Sequence, residues 1–256
     1  MSKQAKIVAS HQPHFFPWLG YLDKMAKADA FIINDVAQLE KKSPMVRNRI
    51  LDCRGVERYI NVAVNKADCY EVQNRQVQLS DWGATRIRLR NLLQDAYRKA
   101  AFFAEIWPQI EEILDAEYTT LLEIDMATIE WMRNCLDIHT PLILNSSLDC
   151  ESGMDKSERV AIKVAAVGGT VYLSGNGARR YMDFEAFEDR NIRVVYQKFA
   201  YPVYPQFSSA AFVPNLSAMD LLFNCGIQAS REIFWNNVRA SGELHLCEAN
   251  EAVRHS

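Results

Sequence analysis

Two histidines three residues apart, His11 and His14, lie in the stretch SHQPHFFPWLGYLDK with two prolines and four aromatics. An unperturbed imidazole titrates near neutral pH, so His11 is the candidate general base, with Gln12 beside it as a hydrogen-bonding partner for substrate. Pro13 and Pro17 fix their own φ angles and push Gln12 and Phe16 toward extended backbone, which makes the loop stiff. The aromatics Phe15, Phe16 and Trp18 suit either core filling or a pocket wall. A second group follows in NDVAQLEKKSPMVRNRI, where Asp35 could orient His11 or bind an amine, and Gln38, Lys41, Arg47, Asn48 and Arg49 supply donors. Guanidinium forks such as those of Arg-Asn-Arg suit bidentate contact with phosphate or carboxylate. In YLSGNGARRYMD the amides around Ser174, Gly175 and Gly177 could form an anion-binding turn, although the stretch matches neither the P-loop nor the dinucleotide fingerprint. YPVYPQF carries Gln206 in another stiff loop. Cys225 reads as a small buried residue, and as a nucleophile only if a histidine lies beside it.

These loops need strands and helices to bring them together. KIVAS is a short β-branched run, Leu19, Leu22, Met25 and Ala26 fall on one helical face, and DAFIIND is a second apolar run. Strand, helix and strand of this kind are normally parallel with a right-handed crossover, and ligands favour the carboxyl ends of such strands. SHQPH and NDVAQ are therefore expected on one edge of a sheet. ERYINVAV and VQNRQVQLS alternate as strands. From Ala84 to about Asp137 the apolar spacing is helical, with Trp107-Pro108 as a break or a first turn. PLILNSS, TVYLSG and NIRVVYQKF read as strands, DKSERVAIKVAAVGG as a helix with a glycine stop, and NLSAMDLLFNCG as a helix capped by Asn215 and ended by Gly226.

The expected fold is α/β, a mostly parallel sheet of β-α-β units with a helical insertion in the middle of the chain. In domain terms this is one α/β domain over 1–240, with a helical subdomain at about 84–138 and a polar tail over 241–256.

Composition bounds the function. The chain has 256 residues, a net charge of -3 and a pI near 6, so no global basic field draws it to nucleic acid or acidic lipid. No run approaches the roughly 20 apolar residues of a membrane span, and MSKQAKIVAS does not read as a signal peptide. A cytoplasmic protein is expected. The six cysteines form no Cys-x-x-Cys pair and no zinc-like spacing with histidine, so reduced thiols and no bound metal are expected.

The segments HQPHFFPWLGYLDKMAKADAFIINDVAQLEKK, RNRI, YLSGNGARRYMD and YPVYPQF...NLSAMDLLFNCG together resemble the WbqC-like family over nearly the whole chain. The resemblance implies a role in O-antigen or other surface-polysaccharide gene clusters, with glycine transfer to an amino sugar as the proposed activity. It adds Lys24 and Tyr181 to the residues expected to bind substrate, beside Gln12, Gln38, Lys41, Arg47, Asn48, Arg49, Ser174, Gly175, Gly177 and Gln206. Met45-Val46 and Leu39 depart from the family pattern.

Three readings follow. The first is a transferase whose partners are a nucleotide-linked or lipid-linked amino sugar and an activated amino acid of unknown form, with no cofactor assignable. Here His11 deprotonates the amine while Arg47 and Arg49 hold a diphosphate. The second is an adenylating or nucleotidyl-transfer enzyme, since the order strand, histidine loop, helix matches the layout of HIGH-motif enzymes. The third is a non-catalytic nucleotide-sugar-binding protein. A lack of net positive charge argues against a nucleic-acid partner.

Overall fold

In the computed structural model, residues 5–40, 43–66, 69–149, 155–180 and 182–241 are described. Five parallel strands form the central sheet: β1 (Ile7–His11), β2 (Ala30–Ile33), β5 (Leu142–Leu144), β6 (Val171–Ser174) and β7 (Arg193–Tyr196), in the order β5-β2-β1-β6-β7. Helix α1 (Leu19–Ala26) links β1 to β2, α5 (Lys156–Ala166) links β5 to β6, and α6 (Glu185–Glu188) links β6 to β7. The expected α/β sheet of β-α-β units is the fold observed.

Strand alternation builds two apolar layers. Val8, Ala30, Ile32, Tyr172 and Val194 pack against Ala161 and Val164 of α5 and Ala186 and Phe187 of α6. Ala9, Phe31, Ile33, Leu173 and Val195 face the larger core with α1 and the helical segment. The chain builds outward from β1 through β2 to β5, then crosses back through α5 to place β6 on the other side of β1. The order therefore reverses between β1 and β6. In a doubly wound sheet the crevice at the carboxyl ends of those two strands is the preferred ligand position.

The helical insertion is α2 (Trp82–Tyr97), α3 (Phe103–Asp115) and α4 (Leu121–Cys135). Asp81 caps α2 through Ala84 N–H at 2.8 Å, and Thr120 with Glu123 forms a capping box on α4. Pro108 lies inside α3 and neither breaks nor starts it. Two strand assignments change. The RNRI run, read as a cluster of substrate-binding donors with no strand assigned, is β3 (Arg47–Leu51), paired antiparallel with β4 (Glu57–Asn61). Residues 72–80 make a 3-10 turn at Asn74–Gln76 and isolated bridges from Gln73, Gln78 and Leu79 in place of a regular strand, because their partners lie in three separate segments.

Helix α7 (Met219–Ala240) also differs from expectation. Gly226 has φ +74° and ends a first helical stretch, as read, but a second stretch continues beyond it. A side chain there would meet the Phe102 ring at 2.5 Å, so both the backbone and the packing select glycine. Asn215 is not the cap: it has φ 64° three residues before Ala218, and its carbonyl accepts from the Arg49 guanidinium at 3.0 Å. Of the tail, residues 242–256 lie outside the described residues.

Candidate functional site

The loop leaving β1 is held in an unusual shape. Phe16 has φ 42°, a left-handed conformation that costs a residue with a Cβ about 1–2 kcal/mol. Three elements impose it. The Thr128 hydroxyl on α4 accepts from Phe16 N–H at 3.0 Å, the Asn48 amide on β3 donates to Phe16 C=O at 2.7 Å, and Phe15 N–H donates to Pro44 C=O at 3.1 Å. The turn drives Phe15 and Phe16 into the core and leaves the His14 ring against the end of β1. Downstream, the Trp18 ring folds over the first turn of α1, where a Cβ on Gly20 would come within 2.0 Å of it.

His11, His14 and Tyr21 form one ring cluster. His14 lies 4.7 Å from His11, edge on, and stacks on Tyr21 at 4.7 Å, while His11 and Tyr21 are 5.3 Å apart. Asp125 on α4 adds a fully buried carboxyl to this cluster, where its charge, after burial, raises the Tyr21 pKa. Lys24 on α1, whose charge acts on both imidazoles, is 3% exposed, with Nζ donating to Ser10 C=O at 2.8 Å and 5.9 Å from the Tyr172 ring. His14 Nδ1, Tyr21 Oη and both Asp125 oxygens have no hydrogen-bond partner. Buried polar atoms nearly always find one, so four orphans in one cluster are exceptional.

Burial sets the electrostatics. It pushes His11 down to about 3, helped by the Lys24 charge and opposed by the hydrogen bond to Gln12 C=O. His14 falls well below its ordinary value by burial, then by its neighbours His11 and Lys24. Lys24 is lowered to about 7 by burial, and Asp125 is raised well above the carboxylate range by burial. Both imidazoles are thus neutral at pH 7. Since a carbonyl only accepts, the 3.2 Å contact between His11 Nδ1 and Gln12 C=O places the proton on Nδ1 and leaves Nε2 as the basic nitrogen. The expectation of an unperturbed imidazole at His11 does not hold, because desolvation disfavours the cation. The group tuned to neutral pH is Lys24.

The other expected residues divide. Gln12 is half-buried beside His11. Ser174, fully buried, lies at the end of β6 across the crevice, and a Cβ on Gly175 or Gly177 would meet nothing within 4 Å. Asp35 does not orient His11: its carboxylate accepts from Ser146 N–H at 2.8 Å and from the Ser146 hydroxyl, tying the end of β2 to the turn after β5. Gln38 is exposed and donates to Glu71 C=O. Asn48 acts on the Phe16 turn, and Arg49 is paired with Glu57 at 2.7 Å. Arg47 stacks over the Tyr59 ring at 4.5 Å. Gln206 uses both amide hydrogens on Asp220 and Val213 C=O, which fastens a loop. Lys41 and Tyr181 lie outside the described residues.

The match to the WbqC-like protein family model covers residues 12–232. The chain belongs to the WbqC-like family. A curated relative from Mycobacterium tuberculosis (strain ATCC 25618 / H37Rv), described only as uncharacterized protein Rv1507c, is 34% identical over 229 residues, covering 88% of this chain and 96% of that protein. No solved structure matches. The residues matched to the family model include His14, Tyr21, Lys24 and Asp125.

Sequence reasoning missed Asp125, and a signal for it exists. On α4 the buried positions Leu121, Ile124, Asp125, Thr128, Ile129 and Met132 follow helical spacing, so the one carboxylate stands on the apolar stripe. Cys225 is buried, and burial and the Asp220 charge both raise its thiol pKa, the reverse of nucleophile activation. A surface cleft of about 1070 Å³ along α2, bordered by Ile87, Arg88 and Phe103, shares no residue with the cluster.

Proposed function

We propose that this WbqC-like protein is a transferase of O-antigen or other surface-polysaccharide assembly that adds an aminoacyl group, glycine by the family resemblance, to an amino sugar carried on a nucleotide or lipid. The observation that carries this reading is Lys24: a buried amine held near pH 7, beside neutral imidazoles, at the carboxyl end of β1. Acylation of an amino sugar needs its ammonium deprotonated. The sugar nitrogen then forms a C–N bond to the acyl carbon, the leaving group departs with its electron pair, and the remaining amine proton passes to a base. Neutral Lys24 is matched to that task, with His11 Nε2 beside it as a relay. Half-buried Trp18, Phe199 and Tyr201, mutually in ring contact, offer a stacking face for the sugar. Incubation with nucleotide-linked amino sugars and activated glycine, followed by mass spectrometry, tests the reading: a product about 57 Da heavier than the amino-sugar acceptor is expected, the mass of one glycyl unit. No product with any amino sugar would refute it.

One observation favours a second reading. The reversal of strand order between β1 and β6, with a histidine loop at one strand end and the uncluttered Gly175 turn at the other, suits a nucleotide. ATP-dependent release of pyrophosphate would support an adenylating enzyme. Failure to bind any nucleotide would remove it.

A further inference from the structure

The cluster holds a buried amine and a buried carboxyl that pair neither with one another nor with any other charged group among the described residues. Lys24 spends one of three ammonium hydrogens on Ser10 C=O and makes no ion pair among the described residues. The nearest carboxylate in sequence, Asp23, is taken by Lys27 at 2.8 Å and the Gln197 amide at 2.7 Å. Asp125 receives no donor on either oxygen. Arg133, on the same helix, is committed to Glu130 and Thr140 C=O. Lys24 acts electrostatically on His14, Asp125 on Tyr21, and the two rings stack on each other; Tyr21 Oη and His14 Nδ1 are also without partners.

Burying a lone ion is costly unless a counter-ion and hydrogen bonds meet it, and a chain that keeps both ends of such a pair unmet leaves them for a ligand. The ligand must carry a cation at one end and an anion at the other. A single ion would satisfy one end only, and no group of three or more His, Cys, Asp or Glu able to hold a metal occurs among the described residues. The half-buried ring of His11, in contact with both His14 and Tyr21, is the exposed edge of the cluster.

We infer that the cluster seats a small free amino acid as its zwitterion, the ammonium at Asp125 and the carboxylate at Lys24, with Tyr21 and His14 as lateral hydrogen-bond partners. The inference rests on the aminoacyl-transfer reading in one respect: the acyl group comes from a free amino acid, not a preformed thioester or aminoacyl-tRNA. Its carboxylate first displaces pyrophosphate from a nucleoside triphosphate, and the sugar amine then displaces the nucleotide, so Lys24 holds the anion before activation and acts as the neutral base once the carboxylate is esterified. In the empty site Asp125 keeps its proton, so seating an ammonium releases that proton to solvent.

Ligand-observed NMR and thermal shift on the full chain, with glycine, L-alanine, methylamine and acetate as probes, provide the test. Glycine or L-alanine is expected to bind at least tenfold more tightly than methylamine or acetate, which each satisfy one end. Asp125→Asn and Lys24→Met should each weaken glycine binding at least tenfold, and Arg86→Ala on the outer face of α2 should leave it unchanged. Equal binding of the half-ligands to the unaltered protein overturns the inference even if a variant fails to fold. Absence of amino-acid binding by a protein that still transfers an aminoacyl group from a thioester or tRNA also overturns it, while leaving the transferase reading intact. Zwitterion binding without transfer to any amino sugar does the reverse.

Discussion

Two buried carboxylates in this chain have opposite surroundings. Asp220, at the start of α7, accepts from Tyr97 Oη at 3.1 Å, Tyr204 Oη at 3.1 Å and Gln206 Nε2 at 2.9 Å, so its oxygens are met from a helix and a loop. Asp125, equally buried on α4, is met by nothing. Burial raises both pKa values, but at Asp220 three hydrogen bonds oppose the rise. The contrast separates a carboxylate that holds the fold together from one kept in waiting. It also shows that depth of burial alone does not distinguish scaffold from site; satisfaction does.

Substitutions at the two clusters should therefore have inverse consequences. The largest effect is expected at Lys24→Met, with kcat/KM for aminoacyl transfer down more than about 100-fold and thermal stability undiminished, because an unpaired buried cation is replaced by an apolar chain of similar length. A parallel loss of stability would mean that Lys24 is structural. Next in size, Asp220→Ala strands three buried donors at about 1 kcal/mol or more each, so unfolding in urea should show a loss of about 3 kcal/mol or more. Asp125→Asn, with no bond to lose, should leave the unfolding free energy in urea within about 0.5 kcal/mol of the parent. If the two aspartates cost the same, the comparison collapses.

Stability against pH sharpens the same contrast. Unfolded Lys24 keeps its proton to its ordinary 10.5 and folded Lys24 sheds it at about 7, so between those values the unfolded chain binds more protons. Stability contributed by this residue should rise as pH increases from 7 to 10.5, by at most about 5 kcal/mol, and Lys24→Met should flatten the rise. On the acid side, unfolded imidazoles protonate below 6.5 but His11 in the fold only at about 3, so stability should fall as pH drops below 6.5. A smaller effect is expected at Gln206→Ala, about 1–2 kcal/mol in urea with glycine affinity unchanged. A loss of binding there would return Gln206 to the site.

Most of the sheet was legible because KIVAS, AFII and VYLS are apolar runs buried on both faces, a pattern that only a covered strand tolerates. The hairpin strand Arg47–Leu51 was not, since two arginines and an asparagine hide the period of 2, and these side chains are held by Tyr59 and Glu57 of the next strand and by the Phe16 carbonyl far upstream. For the candidate site, the stiffness of the loop was visible from Pro13 and Pro17. The roles within it were not. Whether an imidazole or an amine titrates near pH 7 depends on burial by α1 and α4, which spacing does not reveal, and the helix that delivers Asp125 enters more than a hundred residues after His11.

The central claim is that Lys24 is an uncompensated buried amine tuned to neutral pH. Carbon-13 NMR of protein labelled at lysine Cε, with Lys24→Met to assign the resonance, measures its titration directly. A midpoint about three units below that of the solvent-exposed lysines, near 7, is the result predicted. A midpoint at about 10, with the exposed lysines, would show that the ammonium is hydrated or paired, and would contradict the account.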